Sequence, residues 1–272
     1  MNVADLDGLP VHYTDEGDPA GRPLVFANSL GTDLRVWDAV LPLLPAGLRL
    51  VRYDLRGHGL TGCPDGPYKM GTLVSDAERL IEHLGLRGVT FVGLSIGGMI
   101  AQGLAVKRPD LVSAMVLSNT AAKIGTAPMW QQRIDTVLSR GIAALSDAVL
   151  ERWFAPEFRE GPALPAWRAM LERQPAQGYA GCCAAIAGAD LMAATAQLTL
   201  PTLAVACDRD GSTPPDLVRE TAALIPGSRV ELIRGAGHLP PVEAPRAFAA
   251  ALADFLADTA VTANTDPAEV PR

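Results

Sequence analysis

"FVGLSIGGM", Phe91 to Met99, sets an apolar run directly against three glycines that surround one serine. Gly93, Gly97 and Gly98 crowd Ser95. Glycine loses more freedom on folding than any other residue, so three of them together mark a bend with no room for side chains. Gly93-Leu94-Ser95-Ile96-Gly97 fits G-x-S-x-G, a strand-to-helix turn that lifts a serine hydroxyl above the end of a sheet. The flanks supply that context: "VTFVG" (89–93) reads as a strand and 97–108 as a helix. The Ile96 amide then lies at a helix start, where N–H groups are free and the dipole favours negative charge. A phosphate-binding glycine loop would need a following lysine or a GxGxxG order, and neither is present.

Outward from the serine, the apolar pattern alternates between two periods. "LVFAN" (24–28), "LRLVRYD" (48–54), "SAMVLSN" (113–119), "PTLAVAC" (201–207) and "RVELIRG" (229–235) are short bounded runs that read as buried strands. Helical patterns at 71–85, 215–225 and 245–258 lie between or after them. This alternation predicts an α/β fold, a mostly parallel central sheet with helices on both faces. Residues 122–196 break the rhythm: "MWQQRIDTVLSRG", "IAALSDAVLERWF", "PAWRAMLERQ" and "GYAGCCAAIAGA" read as four helices with no strand among them. The expected organisation is a core of 1–121 and 197–258, a helical cap of 122–196 inserted between strands, and a flexible tail of 259–272.

A serine nucleophile requires a base. There are four histidines, His12, His58, His83 and His238, and only His238 follows Ser95, as the order serine, acid, histidine demands. It sits in "GAGHLPPVE" after the last predicted strand. For the acid, "ACDRDGSTPP" offers Asp208 and Asp210. Asp210 is preferred because it heads a D-x-x-T-P turn leading into a helix; both also suit ordinary Asx turns. Acyl transfer further needs two amides for the oxyanion. Ile96 is one, and Leu30, in the "FANSLGTD" loop after the first buried strand, is the other. The side chains of Asn28 and Ser29 would assist it or fasten the loop.

Composition narrows the rest. The 272 residues carry a net charge of −7, are 49% hydrophobic and contain no Lys/Arg block. A nucleic-acid partner is therefore not expected. No apolar stretch reaches membrane length, and "MNVADLDGLP" is not a secretory leader. The four cysteines (Cys63, Cys182, Cys183, Cys207) show no CxxC spacing and read as free thiols of a cytoplasmic protein. The scattered histidines offer no metal cluster, so neither metal nor cofactor is expected. A monomer or homodimer is expected.

Taken together, these features resemble the α/β hydrolases over about residues 10–258, with "RYDLRGHG" (52–59) and "GAGHLPPVEAP" (235–245) adding to the match. Within them the chain is most similar to the 3-oxoadipate enol-lactonases of aromatic catabolism. "ANSLGTDLRVWD" resembles their oxyanion loop and "GLSIGGMIAQ" their serine turn. "SNTAAKIGTAPMWQQRI" resembles the entry to their cap, and "GYAGCCAAI" one of its helices. Arg35, the alanine-rich stretch 184–196 and "HLPPVEAP" depart from that pattern. The resemblance implies a small anionic lactone as substrate and a cation to hold its carboxylate. Arg133 is the first candidate, with Trp130 one helical turn earlier as an apolar wall and Lys123 as a second cation. Tyr179 and Cys182, three apart on one helix, either line the cavity or pack. A general esterase, a C–C bond hydrolase, a cofactor-free perhydrolase and a noncatalytic binding protein share the same fold-level signature.

Overall fold

The computed structural model describes residues 1–263. Eight strands form one sheet: β1 (Asn2–Leu6), β2 (Leu9–Gly17), β3 (Arg22–Ala27), β4 (Leu48–Tyr53), β5 (Val89–Leu94), β6 (Val112–Ser118), β7 (Thr202–Cys207) and β8 (Arg229–Ile233). Their order across the sheet is β1-β2-β4-β3-β5-β6-β7-β8. The first two join by antiparallel pairing and every pair from β4–β3 onward is parallel. In β5 and β7 every residue is buried, as a strand covered on both faces requires.

The core helices are α1 (Met70–His83) and α2 (Ile96–Lys107). Between β6 and β7 come α3 (Ala127–Arg140), α4 (Ser146–Trp153), α5 (Pro156–Arg159), α6 (Leu164–Glu172), α7 (Ala176–Ala187) and α8 (Met192–Thr195). The chain returns to the sheet with α9 (Pro215–Ala223), α10 (Pro240–Glu243) and α11 (Pro245–Ala263). The six strands and the four long helices of the insertion lie close to where the apolar pattern places them, but β8 is an edge strand whose Arg229, Val230 and Glu231 are exposed, so it is not the buried strand expected. The β1–β2 hairpin, the N-terminal hairpin region expected around His12, lies at an edge, where its alternation of exposed and buried residues covers only one face.

The expected tail from residue 259 begins too early, because α11 continues through Ala263. Arg22 on β3 explains the extension. Its guanidinium donates to the Leu256 carbonyl (2.9 Å) and to Thr259 Oγ1 (2.8 Å), which fastens the last turns to the sheet. The remainder of that tail, 264–272, lies outside the described residues.

Candidate active site

Ser95 stands between the end of β5 and the start of α2 with φ 58° and ψ −116°. A non-glycine residue held in that region costs roughly 1–3 kcal/mol, so the surrounding structure must impose it. The three glycines show how. A Cβ on Gly93 would strike the Gly97 carbonyl, one on Gly97 the Ala27 carbonyl, and one on Gly98 the Thr120 side chain. Strand, helix and the end of β3 therefore touch backbone to backbone, and the bend is anchored by Ser95 N–H to the Ser118 carbonyl (2.9 Å) and Thr120 Oγ1 to the Ser95 carbonyl (2.6 Å).

The loops after β7 and β8 bring Asp210 and His238 together. His238 Nδ1 lies 2.9 and 3.1 Å from the two Asp210 oxygens, and both residues are buried. With Nδ1 engaged, Nε2 is the basic nitrogen left for a substrate-side proton. Asp210 also accepts from the amides of Ser212 (2.7 Å) and Thr213 (3.0 Å), from Thr213 Oγ1 (2.7 Å) and from Asn119 Nδ2 (2.9 Å). Burial opposes its charge. The His238 imidazole and these donors outweigh burial, and the carboxyl is held below its ordinary range. Asn119, at φ 46°, joins the parts. It follows Ser118, which receives the Ser95 amide, and its Nδ2 also reaches the Gly237 carbonyl (3.4 Å) beside His238. Asn119 does not stand out in the sequence, because its partner Asp210 lies 91 residues away; Thr213 is the threonine of the D-x-x-T-P turn and bonds Asp210 three residues before it.

The loop after β3, expected to carry an oxyanion donor, is tied down on several sides. Asn28 bridges the Tyr53 carbonyl (2.8 Å) and Trp37 Nε1 (2.7 Å), so its side chain fastens the loop. Thr32 turns back on the Ser29 carbonyl through N–H and Oγ1, and the Leu34 amide donates to Asp54 (2.8 Å). Among the described residues, the Leu30 amide finds no hydrogen-bond partner. The Ile96 amide, at the first position of α2, likewise has no acceptor within its own helix.

The insertion forms the roof. A Cβ on Gly31 would lie 2.7 Å from Leu171 Cδ1, 3.1 Å from Tyr179 Cε2 and 3.3 Å from Trp153 Cη2, so these three side chains close directly over the loop. Arg133 lies over the Trp130 ring (5.0 Å to the centroid) and reaches the Tyr179 hydroxyl at 3.5 Å. Trp130 is buried with its Nε1 on the Ile124 carbonyl (2.7 Å). Arg152, near the end of α4, joins this group without any sequence signal. It is half-buried, and its pKa is lowered first by burial and next by the positive charge of Arg133. Among the described residues neither arginine forms an ion pair; the charge of Arg133 opposes that of Arg152, and Tyr179 and Glu151 favour it.

Two sequence candidates lie elsewhere. Lys123 is exposed and its Nζ pairs with Asp190 (2.8 Å), which spends its charge at the surface. Cys182 is turned away from the roof, its Sγ 3.8 Å from the Arg56 carbonyl and 3.9 Å from His58 Nδ1, where burial pushes the thiol well above its usual range. A cavity of about 960 Å³ lies beside the outer part of the oxyanion loop, lined by Leu34, Trp167 and Met170 among others. None of Ser95, Asp210 and His238 lines it. Among the described residues, no helix is long and apolar enough to cross a membrane.

This fold and this arrangement define an α/β hydrolase, and the chain belongs to the alpha/beta hydrolase family, whose model matches residues 24–251. It is 36% identical to 3-oxoadipate enol-lactonase 2 of Acinetobacter baylyi over 88% of this chain and 90% of that protein. It is 32% identical to a putative non-heme bromoperoxidase, BpoC, of Mycobacterium tuberculosis over 90% of this chain and 97% of that protein. Among solved structures, the enol-lactonase from Burkholderia xenovorans superposes with a TM-score of 0.91 at 34% identity, covering 94% of this chain and all of that one.

Proposed function

We propose that the protein hydrolyses an enol-lactone bearing a carboxylate, converting 3-oxoadipate enol-lactone and water to 3-oxoadipate through an acyl-enzyme. The observation that carries this reading is the pair Arg133 and Arg152, two half-sheltered guanidiniums that form no ion pair among the described residues, the first reaching the Tyr179 hydroxyl and the second near enough for their charges to oppose each other. A site for a neutral ester has no use for such a pair, whereas a carboxylate can be gripped by the planar forks of both. The names of the similar enol-lactonases point the same way.

In this reading Ser95 Oγ attacks the ring carbonyl and its proton passes to His238 Nε2. Asp210 holds the imidazole and balances the imidazolium. The carbonyl oxygen, now negative, accepts from the Leu30 and Ile96 amides. The ring C–O bond breaks, and the enol oxygen leaves with the proton from His238. The enol then ketonises, which discourages reclosure. His238 next takes a proton from water, whose oxygen attacks the acyl carbon. Ser95 regains its proton as the carboxylate product departs.

The test is direct. The enol-lactone is generated in situ, and loss of its ultraviolet absorbance is followed beside a neutral ester. Faster turnover of the lactone by several orders of magnitude in kcat/KM is expected. Equal or lower efficiency on the lactone assigns the protein to another hydrolase chemistry.

A further inference from the structure

His58 is fully buried next to the active site, and the mechanism above does not use it. The Gly31 amide donates to His58 Nε2 (3.0 Å), so that nitrogen carries the lone pair. The proton is then on Nδ1, which faces the Arg56 carbonyl at 3.2 Å. Burial lowers the imidazole to about 4, which keeps it neutral and able to accept at neutral pH.

The position of this bond matters. Gly31 N–H belongs to the peptide directly after Leu30, so fixing that plane fixes ψ of Leu30. It also withholds the Gly31 amide from the site. Gly31 has φ +82° and lies under Leu171, Tyr179 and Trp153, so its backbone is gripped from above by the roof and from beside by His58. Thr32 holds the preceding peptide, since the Ser29 carbonyl that accepts its N–H (3.1 Å) and Oγ1 (2.9 Å) shares a plane with the Leu30 amide, so Thr32 and His58 fix Leu30 from its two sides; the ties at Asn28 and Leu34 act further off.

We propose that His58 is a positioning residue for the oxyanion hole: as the Nδ1–H tautomer it accepts the Gly31 amide, and so presents the Leu30 amide toward Ser95. The inference rests on the serine-hydrolase part of the reading above and is independent of the lactone assignment.

Two measurements test it. In protein with ¹⁵N-labelled imidazoles, His58 should show a protonated Nδ1 and a bare Nε2 at neutral pH. An Nε2–H tautomer overturns the proposal, because that nitrogen could not accept from Gly31. This readout needs no activity, so it stands even if the enzymatic reading fails. The second compares His58→Phe, which keeps ring bulk without an acceptor, with His58→Gln, whose amide oxygen can reach the place of Nε2. Both are assayed on a neutral p-nitrophenyl ester, with rates expressed per serine titrated by a phosphonate. His58→Phe should lose on the order of 10- to 100-fold in kcat with KM within about twofold. Phosphonylation should slow in parallel, since the phosphoryl oxygen occupies the same hole, and His58→Gln should regain most of the rate. Unchanged kcat in His58→Phe, or equal losses in both variants, overturns the proposal. Should His58→Phe not fold, His58→Leu takes its place.

Discussion

Removal of Arg152 is the most discriminating perturbation of the proposed substrate site. The residue has two separable parts. Its backbone carbonyl receives the Gly211 amide (3.2 Å) in the loop that carries Asp210, and Arg152→Ala leaves that bond in place. Its side chain gives up the Nε contact to the Ala148 carbonyl (3.2 Å) within its own helix and the packing of its Cγ beside Gly211. The hydrogen bonds of the Asp210 and His238 loops are therefore kept, and the polar part of the effect falls on whatever the guanidinium holds. A hydrogen bond to a charged group is worth about 1.5–3 kcal/mol. At about 1.4 kcal/mol per decade, this predicts a loss on the order of 10- to 150-fold in kcat/KM for the anionic lactone. Most of it should appear in KM if the grip is equal in ground and transition states. A neutral p-nitrophenyl ester should change by about twofold or less. Arg133→Ala should follow the same pattern, and the double variant should be non-additive, because both side chains would hold one carboxylate. Steady-state kinetics on the two substrates with all three variants decides the matter. Equal losses on lactone and ester, or no loss on the lactone, would refute a carboxylate clamp.

The remaining predictions concern the serine, its support and a second buried acid. Ser95→Ala should abolish turnover and phosphonate labelling while product binding, measured by calorimetry, persists; retained turnover would remove Ser95 as nucleophile. Thr213→Val deletes one donor to Asp210 while keeping the amide, and should lower kcat about 10-fold or more with little change in KM; an unaltered kcat would show that the hydroxyl is dispensable. Glu243 accepts from the amides of Gly237 (3.0 Å) and Ala155 (3.1 Å), and burial pushes its carboxyl up to about 7 from an ordinary 4.5. The folded protein thus holds this proton more tightly than the unfolded chain. Its contribution to stability is complete below the unfolded value and is lost as pH rises through about 7. The Tm of the native protein should therefore fall relative to Glu243→Gln between pH 4.5 and 8. A constant difference across that range would show that Glu243 does not titrate there.

The parts of this molecule that were legible beforehand are those written in short-range pattern. The serine bend could be read because its cause is local: Gly93, Gly97 and Gly98 are each needed by a contact within the bend or just beneath it. The buried strands could be read because β5 and β7 are covered on both faces and so run without interruption. Asn119 could not, since its partner Asp210 is 91 residues away and nothing near Asn119 encodes that meeting. Helical spacing put Tyr179 and Cys182 near one another on α7, but it does not say which neighbour each meets. The loop at Gly31 faces Tyr179, and the segment Arg56–His58 faces Cys182. Lys123 and Arg133 are equally cationic in sequence. An aspartate on the far side of the insertion neutralises one, and a tryptophan ring props up the other.

The insertion bears on catalysis in a way that the name cap conceals. A lid that swings freely must part from the site it covers, yet the end of α4 is bonded to both catalytic loops. The Trp153 carbonyl accepts the His238 amide (2.7 Å), the Arg152 carbonyl accepts the Gly211 amide, and Glu243 clasps the Ala155 and Gly237 amides at once. Moving this end would carry Asp210 and His238 with it and break the alignment at Nδ1. The backbone of α7 is held as well, with Gly178 set against the Gly57 backbone and the Gly181 carbonyl accepting the Tyr68 amide (3.3 Å), so any opening for substrate is left to side chains such as Arg133, Tyr179 and Leu171. Arg133 stands there, so a residue that admits the substrate is also one proposed to select it, whereas Arg152 belongs to the fixed end of α4. The rigid end holds the chemistry constant while the side-chain end sets which carboxylate enters.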